Sequence, residues 1–323
     1  MKFEQSKSSI ERVAGASSEA EQEILKQSGE IFNDQIFKGL EGKEREKTAE
    51  ELEVIDIANN LTNEVRRSYG LENFDVPPKN IHIIPAAKWP GGGSEDGVYD
   101  SRLQGVAVKD AGDPKLYTLA VTIHEMLHFK SYNALQVIDG KKSEAESYRI
   151  GFATRSRDGK NKYFSELNEA MTEELGRRIF QKAVGGLRNN PIFTEEINKT
   201  EEVIKKYPKA TSKSGKKLFT GDTLYAKTEA PADLIGMIKY ALGKGSPQII
   251  TIRHTYKKQR GMLNSLMDKV WNKHRDEFKD QEEVFQFFAK AYMTGNLLSI
   301  GRLVEETFGK GTFRKIAELD MKG

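Results

Sequence analysis

An apolar stripe over residues 114–135 is the feature that most constrains how this chain folds. Its apolar side chains recur at i, i+3, i+4 and i+7, the spacing that places them on one face of an α-helix. They are Leu116, Leu119, Ala120, Ile123, Leu127 and Ala134. Pro114 stands at the start of the stripe, and proline suits a first helical position. The sequence therefore predicts a helix from Pro114 to about residue 135 with one buried face.

A pair of histidines lies beside this stripe. His124 and His128 are separated by one helical turn, so both imidazoles can reach a single cation. Glu125 lies about 100° around the helix from His124, where its carboxylate is next to such a cation and can take a proton from water. Unpartnered imidazoles beside a buried face would be costly. We therefore interpret this H-E-x-x-H segment as a metal site, in preference to a pair of polar residues that flank the core.

The composition limits which other groups can complete the site. The chain has no cysteine and five histidines, so disulfides, thiolate metal sites and a cysteine nucleophile are excluded. A hydrolytic zinc site needs a third protein ligand and one open position. The longer pattern H-E-x-x-H-x-x-G-x-x-H is absent, and His82, His254 and His274 lie in unrelated segments. A carboxylate is thus the better candidate.

A second motif stands on the next predicted helix, for which Ser165 is the expected N-cap. Residues 168–173 have the sequence NEAMTE. Together with the H-E-x-x-H segment, this stretch resembles the gluzincins, the thermolysin-like class of zinc peptidases, whose second active-site helix carries Asn-Glu-Ala-x-Ser/Thr-Asp/Glu. The resemblance covers about residues 80–180. It implies that Glu169 is the third zinc ligand and that Glu173 orients a ligand imidazole. Taken alone, the two glutamates fit a solvated acidic helix face equally well.

The resemblance also implies where substrate binds and what stabilises the oxyanion. In gluzincins an extended substrate lies against an edge strand that precedes the zinc helix, and residues 105–108 match that strand by their order in the chain. A tyrosine or histidine usually donates to the oxyanion. We favour His254 or Tyr256 for this role. Tyr148 and Tyr163 are alternatives, and each tyrosine also fits a simple packing role.

Outside the two motif helices the pattern predicts short strands and a further helix. Residues 80–85 and 105–108 are short β-branched runs that indicate strands. Residues 157–160 have the composition of a hairpin turn. An amphipathic helix is expected over 47–69. Residues 249–253 fit either a strand or the approach to a helix.

Helices near 256–274 and 281–308 are expected to finish the chain. We therefore expect an α+β fold, in which a small twisted sheet packs on the H-E-x-x-H helix and on the second zinc-ligand helix, followed by a mostly helical C-terminal portion. Three parts are predicted. They are a polar, flexible N-terminal arm over 1–45, a zincin-like catalytic domain over 46–190, and a mainly helical C-terminal subdomain over 191–323.

Charge and hydropathy restrict the partners and the location. The net charge of +3, from 51 basic and 48 acidic residues, is too mild to indicate nucleic-acid binding. No apolar run has the length of a signal peptide or of a membrane span. We therefore expect a cytoplasmic protein that binds neither nucleic acid nor membrane.

The sequence as a whole predicts a zinc-dependent hydrolase with one Zn²⁺ per chain. A metallopeptidase that acts on a peptide or protein is favoured, and the absence of an aminopeptidase-type G-x-M-E-N strand favours an endopeptidase. Two alternatives stay open. One is a non-catalytic binding or scaffold protein that zinc stabilises, and the other is a zinc amidohydrolase of a non-peptide substrate. The oligomeric state is left open.

Overall fold

The computed structural model describes residues 8–34, 40, 42–90, 95–138, 145–211, 216–220, 222–227, 238–241 and 248–319. Its α-helices are α1 (Ser18–Asp34), α2 (Ala49–Ser68), α3 (Lys115–Lys130), α4 (Ser165–Leu187), α5 (Pro191–Lys206), α6 (Lys257–Lys273), α7 (Gln281–Thr294), α8 (Leu297–Phe308) and α9 (Thr312–Ala317). Its strands are β1 (Ile10–Ala14), β2 (Ile81–Pro85), β3 (Gly97–Asp100), β4 (Gly105–Asp110), β5 (Asn133–Val137), β6 (Ala145–Ile150), β7 (Ala153–Arg155), β8 (Lys162–Tyr163), β9 (Thr223–Lys227), β10 (Ile238–Ala241) and β11 (Gln248–Arg253).

The strands form three small sheets, where the sequence predicted one. Their orders are β1-β5-β6-β7-β8, β2-β4-β3 and β10-β11-β9. The mixed α and β composition is confirmed, but the C-terminal portion is less purely helical than expected, because β9, β10 and β11 belong to it. These strands also decide the open question at residues 249–253, which lie in β11.

The sheet that packs on the motif helix has β4 at its centre. β4 pairs in parallel with β2 and antiparallel with β3, and both β3 and β4 contact α3. The prediction that 105–108 form the edge strand is therefore wrong. A short return after residue 100 brings β3 and β4 together as antiparallel neighbours, so β3 takes the outer position.

The motif helix α3 begins as predicted but ends five residues early. Pro114 is its N-cap and Lys130 its last residue. Asn133 explains the end, because its side-chain amide donates to the carbonyl groups of His128, Phe129 and Ser131. Carbonyl groups that lose their helical partners are thereby satisfied. Ala134, which was assigned to the helical stripe, lies in β5 instead.

The other predicted elements are found with small shifts. α2 matches the helix predicted over 47–69, and β7 and β8 form the predicted hairpin with Arg155 opposite Lys162. Ser165 is the first residue of α4 and not its N-cap, because Phe164 takes that position with a left-handed φ of 62°. The helix predicted over 281–308 is divided into α7 and α8 at Gly295, whose φ is 79°.

The N-terminal segment is packed against the rest of the chain over residues 8–34. β1 pairs in parallel with β5 and buries Ile10 and Val13. Phe32 of α1 is fully buried, and its ring contacts Phe74 and Phe129. The prediction of a flexible arm is wrong for this part, because its few apolar residues are spaced to face inward. Residues 1–7 and 35–39 of the predicted arm lie outside the described residues.

One hydrophobic core extends across the boundary predicted at residue 190. Ile123 of α3 and Met171 of α4 belong to the same cluster as Phe193 of α5 and Phe288 of α7. The predicted division into a catalytic domain and a C-terminal subdomain stays a prediction. Among the described residues, no helix combines the length and the apolar character that crossing a bilayer requires.

The carboxylate of Asp113, in the turn before α3, is in an unfavourable environment for a negative charge. Its Oδ1 is buried without a hydrogen-bond partner among the described residues. Burial, together with the negative charges of Asp96 and Asp110, raises the pKa of Asp113 to about 6. Because this pKa lies above that of an unfolded-state Asp, the protein loses stability as pH rises toward 6, and the loss is complete above that pH.

Asp113→Asn is expected to remove this loss. The gain in unfolding free energy at pH 7 should exceed the gain at pH 4.5 by about 2 kcal/mol. Urea unfolding of the parent and the variant at both pH values measures the difference. A gain of equal size at the two pH values would show that the ionised carboxylate is not the cause.

Candidate metal site

Three side chains from α3 and α4 converge at one point. His124 and His128 stand one turn apart on α3, and Glu169 faces them from α4. The two imidazole Nε2 atoms are 3.1 Å apart. Glu169 Oε2 lies 3.3 Å from Nε2 of His124 and 3.4 Å from Nε2 of His128. The three atoms thus form a nearly equilateral triangle.

The triangle has the size that a tetrahedral zinc ion requires. Nitrogen and oxygen ligands lie about 2.0–2.1 Å from zinc, which places neighbouring ligand atoms of a tetrahedron about 3.3–3.4 Å apart. Two imidazoles and a carboxylate also match zinc in ligand type. Within the described residues the group has three members. A tetrahedral ion would therefore keep one position for water or a substrate oxygen.

Glu173 fixes the orientation of His124 from behind. Its Oε2 lies 2.9 Å from Nδ1 of His124. An imidazole that donates from Nδ1 keeps its Nε2 lone pair for a metal. The other oxygen, Oε1, accepts from the backbone N–H of Thr255 and faces Nδ1 of His254, each at 2.9 Å. Burial alone would raise the pKa of Glu173, but its bonds with the two imidazoles lower it well below the ordinary value.

His128 is held more loosely, by residues of α4 and α7. Its Nδ1 lies 3.5 Å from Thr172 Oγ1 and 3.4 Å from the side-chain amide of Asn168. Thr172 donates to the backbone carbonyl of Asn168, so its oxygen can accept from Nδ1–H. Tyr292 Oη is 2.8 Å from the same oxygen. Thr172 and Asn168 thus provide the polar contacts of His128 Nδ1, and the sequence did not reveal the contact of Thr172.

The ionisation of the group favours positive charge between the carboxylates. Burial lowers the pKa of His124, but hydrogen bonds with Glu169 and Glu173 raise it well above the ordinary value. Burial raises the pKa of Glu169, yet the charge of His128 and the bonds with both imidazoles bring it well below the ordinary value. Both shifts show that this point stabilises a positive charge, which a divalent cation would also supply.

Glu125 lies beside the group and is almost fully buried, with 7% of its surface exposed. Burial raises its pKa, and the charges of Glu169 and Glu95 act in the same direction, against the two imidazoles. A carboxylate with a raised pKa is suited to taking a proton and giving it up again near neutral pH. The structure therefore places Glu125 where the H-E-x-x-H pattern predicted a general base.

Gly97 is a site residue that the sequence analysis did not identify. It begins β3, and a Cβ at this position would lie 2.7 Å from both Cγ and Oε1 of Glu125. No side chain larger than hydrogen fits there without moving the glutamate. The contact joins residues far apart in the sequence, so no local pattern could have predicted it.

Gly97→Ala is expected to displace the carboxylate of Glu125 and to lower any activity that depends on it by about a hundredfold. Zinc content should stay unchanged. Gly176→Ala is the matched control. The Cβ of this alanine would make ordinary contacts of 3.7 Å with Ile123 and Leu127 of α3, the helix that carries Glu125. Metal analysis and kcat/KM of both variants test this. Full activity in Gly97→Ala would contradict the assigned contact.

The two favoured oxyanion donors both reach the site, but in different ways. Tyr256 stacks its ring on that of His124, at 5.7 Å between centroids and 11° between planes. Burial and the nearby carboxylates of Glu169 and Glu125 raise its pKa, so the hydroxyl remains a donor. His254 instead points Nδ1 at Glu173, and its Nε2 has no partner among the described residues.

The remaining sequence candidates separate from the group. Tyr148 lines a cavity beside the metal group, whereas Tyr163 lines neither of the two cavities at that group. His82 pairs with Glu44 at 2.7 Å, and His274 pairs with Glu277 at 2.8 Å. Both of these histidines thus have local partners away from the metal group.

Two cavities meet at the metal group. The first cavity, of about 370 Å³, has Glu95, Asp96, Tyr117, Leu224 and His254 on its walls. The second cavity, of about 390 Å³, extends along β3 and β6 to the hairpin of β7 and β8. Glu95, Gly97, His124, Glu125 and Tyr256 line both. The cleft that they form passes the group on both sides.

Comparison with known proteins gives no match, whether with protein-family models, with curated proteins or with solved structures. The geometry of the site is therefore the basis for a proposed function.

Proposed function

We propose that this protein is a zinc-dependent hydrolase, and specifically a peptidase of the gluzincin type. The observation that carries the proposal is the triangle of His124 Nε2, His128 Nε2 and Glu169 Oε2, whose sides of 3.1, 3.3 and 3.4 Å match tetrahedral zinc. A buried carboxylate beside the triangle and an orienting carboxylate behind it add the parts that hydrolysis requires.

The protein groups around the triangle have distinct proposed roles. A zinc ion held there would supply Lewis acidity, which acidifies water and polarises a carbonyl group. Glu125 takes the proton of the attacking water and delivers it to the leaving amine, a double role that its raised pKa favours. The hydroxyl group of Tyr256 donates a hydrogen bond to the oxyanion. His254 holds Glu173, which in turn holds His124.

An internal peptide bond fits the cleft best. Cavities lie on both sides of the metal group, so a chain can continue in both directions from the bond that is cut. β3 offers the outer edge of its sheet beside Glu125, and an extended peptide can pair with such an edge. An endopeptidase is therefore proposed, with β3 as the strand that receives the substrate.

A purely stabilising zinc site explains fewer of these features. Structural zinc sites are usually closed by a fourth protein ligand, and the described group has three. Burying Glu125 next to the group costs stability and is of no use to a scaffold. An amidohydrolase of a non-peptide substrate would use the same groups, so the test below separates it by product.

The test combines metal analysis with product identification. The purified protein should contain one zinc per chain and should cleave a mixed peptide library at internal bonds, as mass spectrometry of the products shows. A chelator should abolish cleavage, and added Zn²⁺ should restore it. Absence of cleavage in the zinc-loaded protein, or cleavage that a chelator leaves unchanged, would refute the proposal.

A further inference from the structure

Two cations face each other on the wall of the second cavity. Arg155 of β7 and Lys162 of β8 are directly opposite in the antiparallel register, and both line this cavity. Like charges in directly opposite positions destabilise a strand pair. No carboxylate among the described residues forms an ion pair with either of them. Lys160, in the turn of the same hairpin, does have an acidic partner, Asp158 at 4.0 Å.

A third cation, Arg149, stands on the neighbouring strand but on the other face of the sheet, because it is opposite Thr154 and not Arg155. Arg149 of β6 donates from Nε to the carbonyl of Gly151 and from Nη1 to the carbonyl of Gly295. These acceptors are neutral, so the positive charge of Arg149 is not compensated by an ion pair among the described residues. Burial lowers its pKa, which is the direction expected for a cation without a nearby anion.

The two ends of the cleft therefore differ in charge. Beyond the groups around the metal, the carboxylate of Asp96 stands on the wall of the first cavity alone, and that of Glu95 stands on the walls of both cavities. The far wall of the second cavity has the cations Arg155 and Lys162. The retained repulsion between Arg155 and Lys162 is relieved if an anion lies between them.

The direction of β3 determines which half of a bound peptide lies in which cavity. β3 runs from Gly97, which lines both cavities, to Val98 and Tyr99, which line the second. Antiparallel pairing is the more stable of the two strand pairings. A peptide paired in this way on β3 runs from the second cavity to the first, so its N-terminal half occupies the second cavity.

We propose that the second cavity recognises a carboxylate side chain of the substrate, Asp or Glu, on the N-terminal side of the bond that is cut. Arg155 and Lys162 are the specificity-determining residues. The proposal rests on the peptidase function proposed above and adds the class of peptide that the enzyme prefers.

Amidated and acetylated peptides that differ by a single Glu, Gln or Lys on either side of the cleaved bond test this. In the parent, Glu on the N-terminal side should raise kcat/KM about tenfold over Gln, and added salt should reduce the difference. The double variant Arg155→Gln/Lys162→Gln should lose the preference, so that its kcat/KM values for the Glu and the Gln peptide become equal. Arg155→Glu/Lys162→Glu should prefer Lys.

Lys160→Gln is the matched control, because it removes one positive charge from the same hairpin outside the cavity lining; it should keep the full preference. Equal rates for Glu and Gln peptides in the parent, or an unchanged preference in the double variant, would overturn the proposal. A preference confined to the C-terminal side would overturn it as well.

Binding separates failure of this inference from failure of the peptidase function. If the parent cleaves no peptide, the function fails, and fluorescence anisotropy of labelled Glu and Gln peptides on zinc-loaded protein still measures the preference. About tenfold tighter binding of the Glu peptide, lost in the double variant, supports the carboxylate site. Equal binding of the two peptides refutes it.

Discussion

Glu125→Gln is expected to keep its zinc and to lose peptide hydrolysis by about a thousandfold, within the range that general-base catalysis contributes. Gln has nearly the same shape as Glu, so the close packing against Gly97 should survive. What changes is the ability to take a proton from water. Metal analysis and kcat/KM on one cleaved peptide are the measurements.

Glu166→Gln provides the control for this experiment. It makes the same chemical change on an exposed carboxylate in the first turn of α4, and should leave the rate and the zinc content unchanged. If Glu125→Gln hydrolyses peptide at the parent rate with full zinc, the general-base role is wrong, whatever the metal does.

Glu169→Ala should lower zinc affinity by at least about a hundredfold, because residues that merely orient a ligand already contribute 10- to 100-fold. The variant keeps both imidazoles but loses the one negative charge of the triangle. Competition with a chromogenic chelator measures the affinity. The rise in melting temperature on adding zinc should also shrink, because the stabilisation by a ligand increases with the logarithm of the ratio of its concentration to its Kd.

Glu173→Gln should lower zinc affinity as well, but by less than Glu169→Ala. An amide in place of the carboxylate still accepts from His124 but supplies no charge, so a smaller loss of about tenfold is expected. The order of affinities should therefore be parent, Glu173→Gln, Glu169→Ala. One tightly bound zinc per chain in Glu169→Ala would remove Glu169 from the ligand set.

Local spacing explains what could be predicted from the sequence. His124, Glu125 and His128 lie within one turn of one helix, so their relative positions follow from helix geometry alone. The NEAMTE segment is local in the same way. That the two motif helices lie side by side was predicted only through the gluzincin resemblance. In the structure Glu169 and Glu173 both contact His124.

Contacts between distant residues explain what could not be predicted. The edge position of β3 depends on which strands pair, and the end of α3 depends on an asparagine beyond the helix. The hairpin of β7 and β8 was visible in the sequence, but the register that places Arg155 opposite Lys162 was not. The ring contacts of Phe32 with Phe74 and Phe129 also join residues far apart in the chain, so no local pattern predicts them.

The second oxygen of Glu173 has a consequence for the order in which the metal site is completed. It is held by His254 and by the N–H of Thr255, which are synthesised about eighty residues after Glu173. A nascent chain therefore carries all three proposed ligands on the ribosome while the support of His124 is still incomplete. Zinc affinity should rise to its final value when the segment around His254 docks. Such an order would delay the proposed activity until the segment around His254 has emerged.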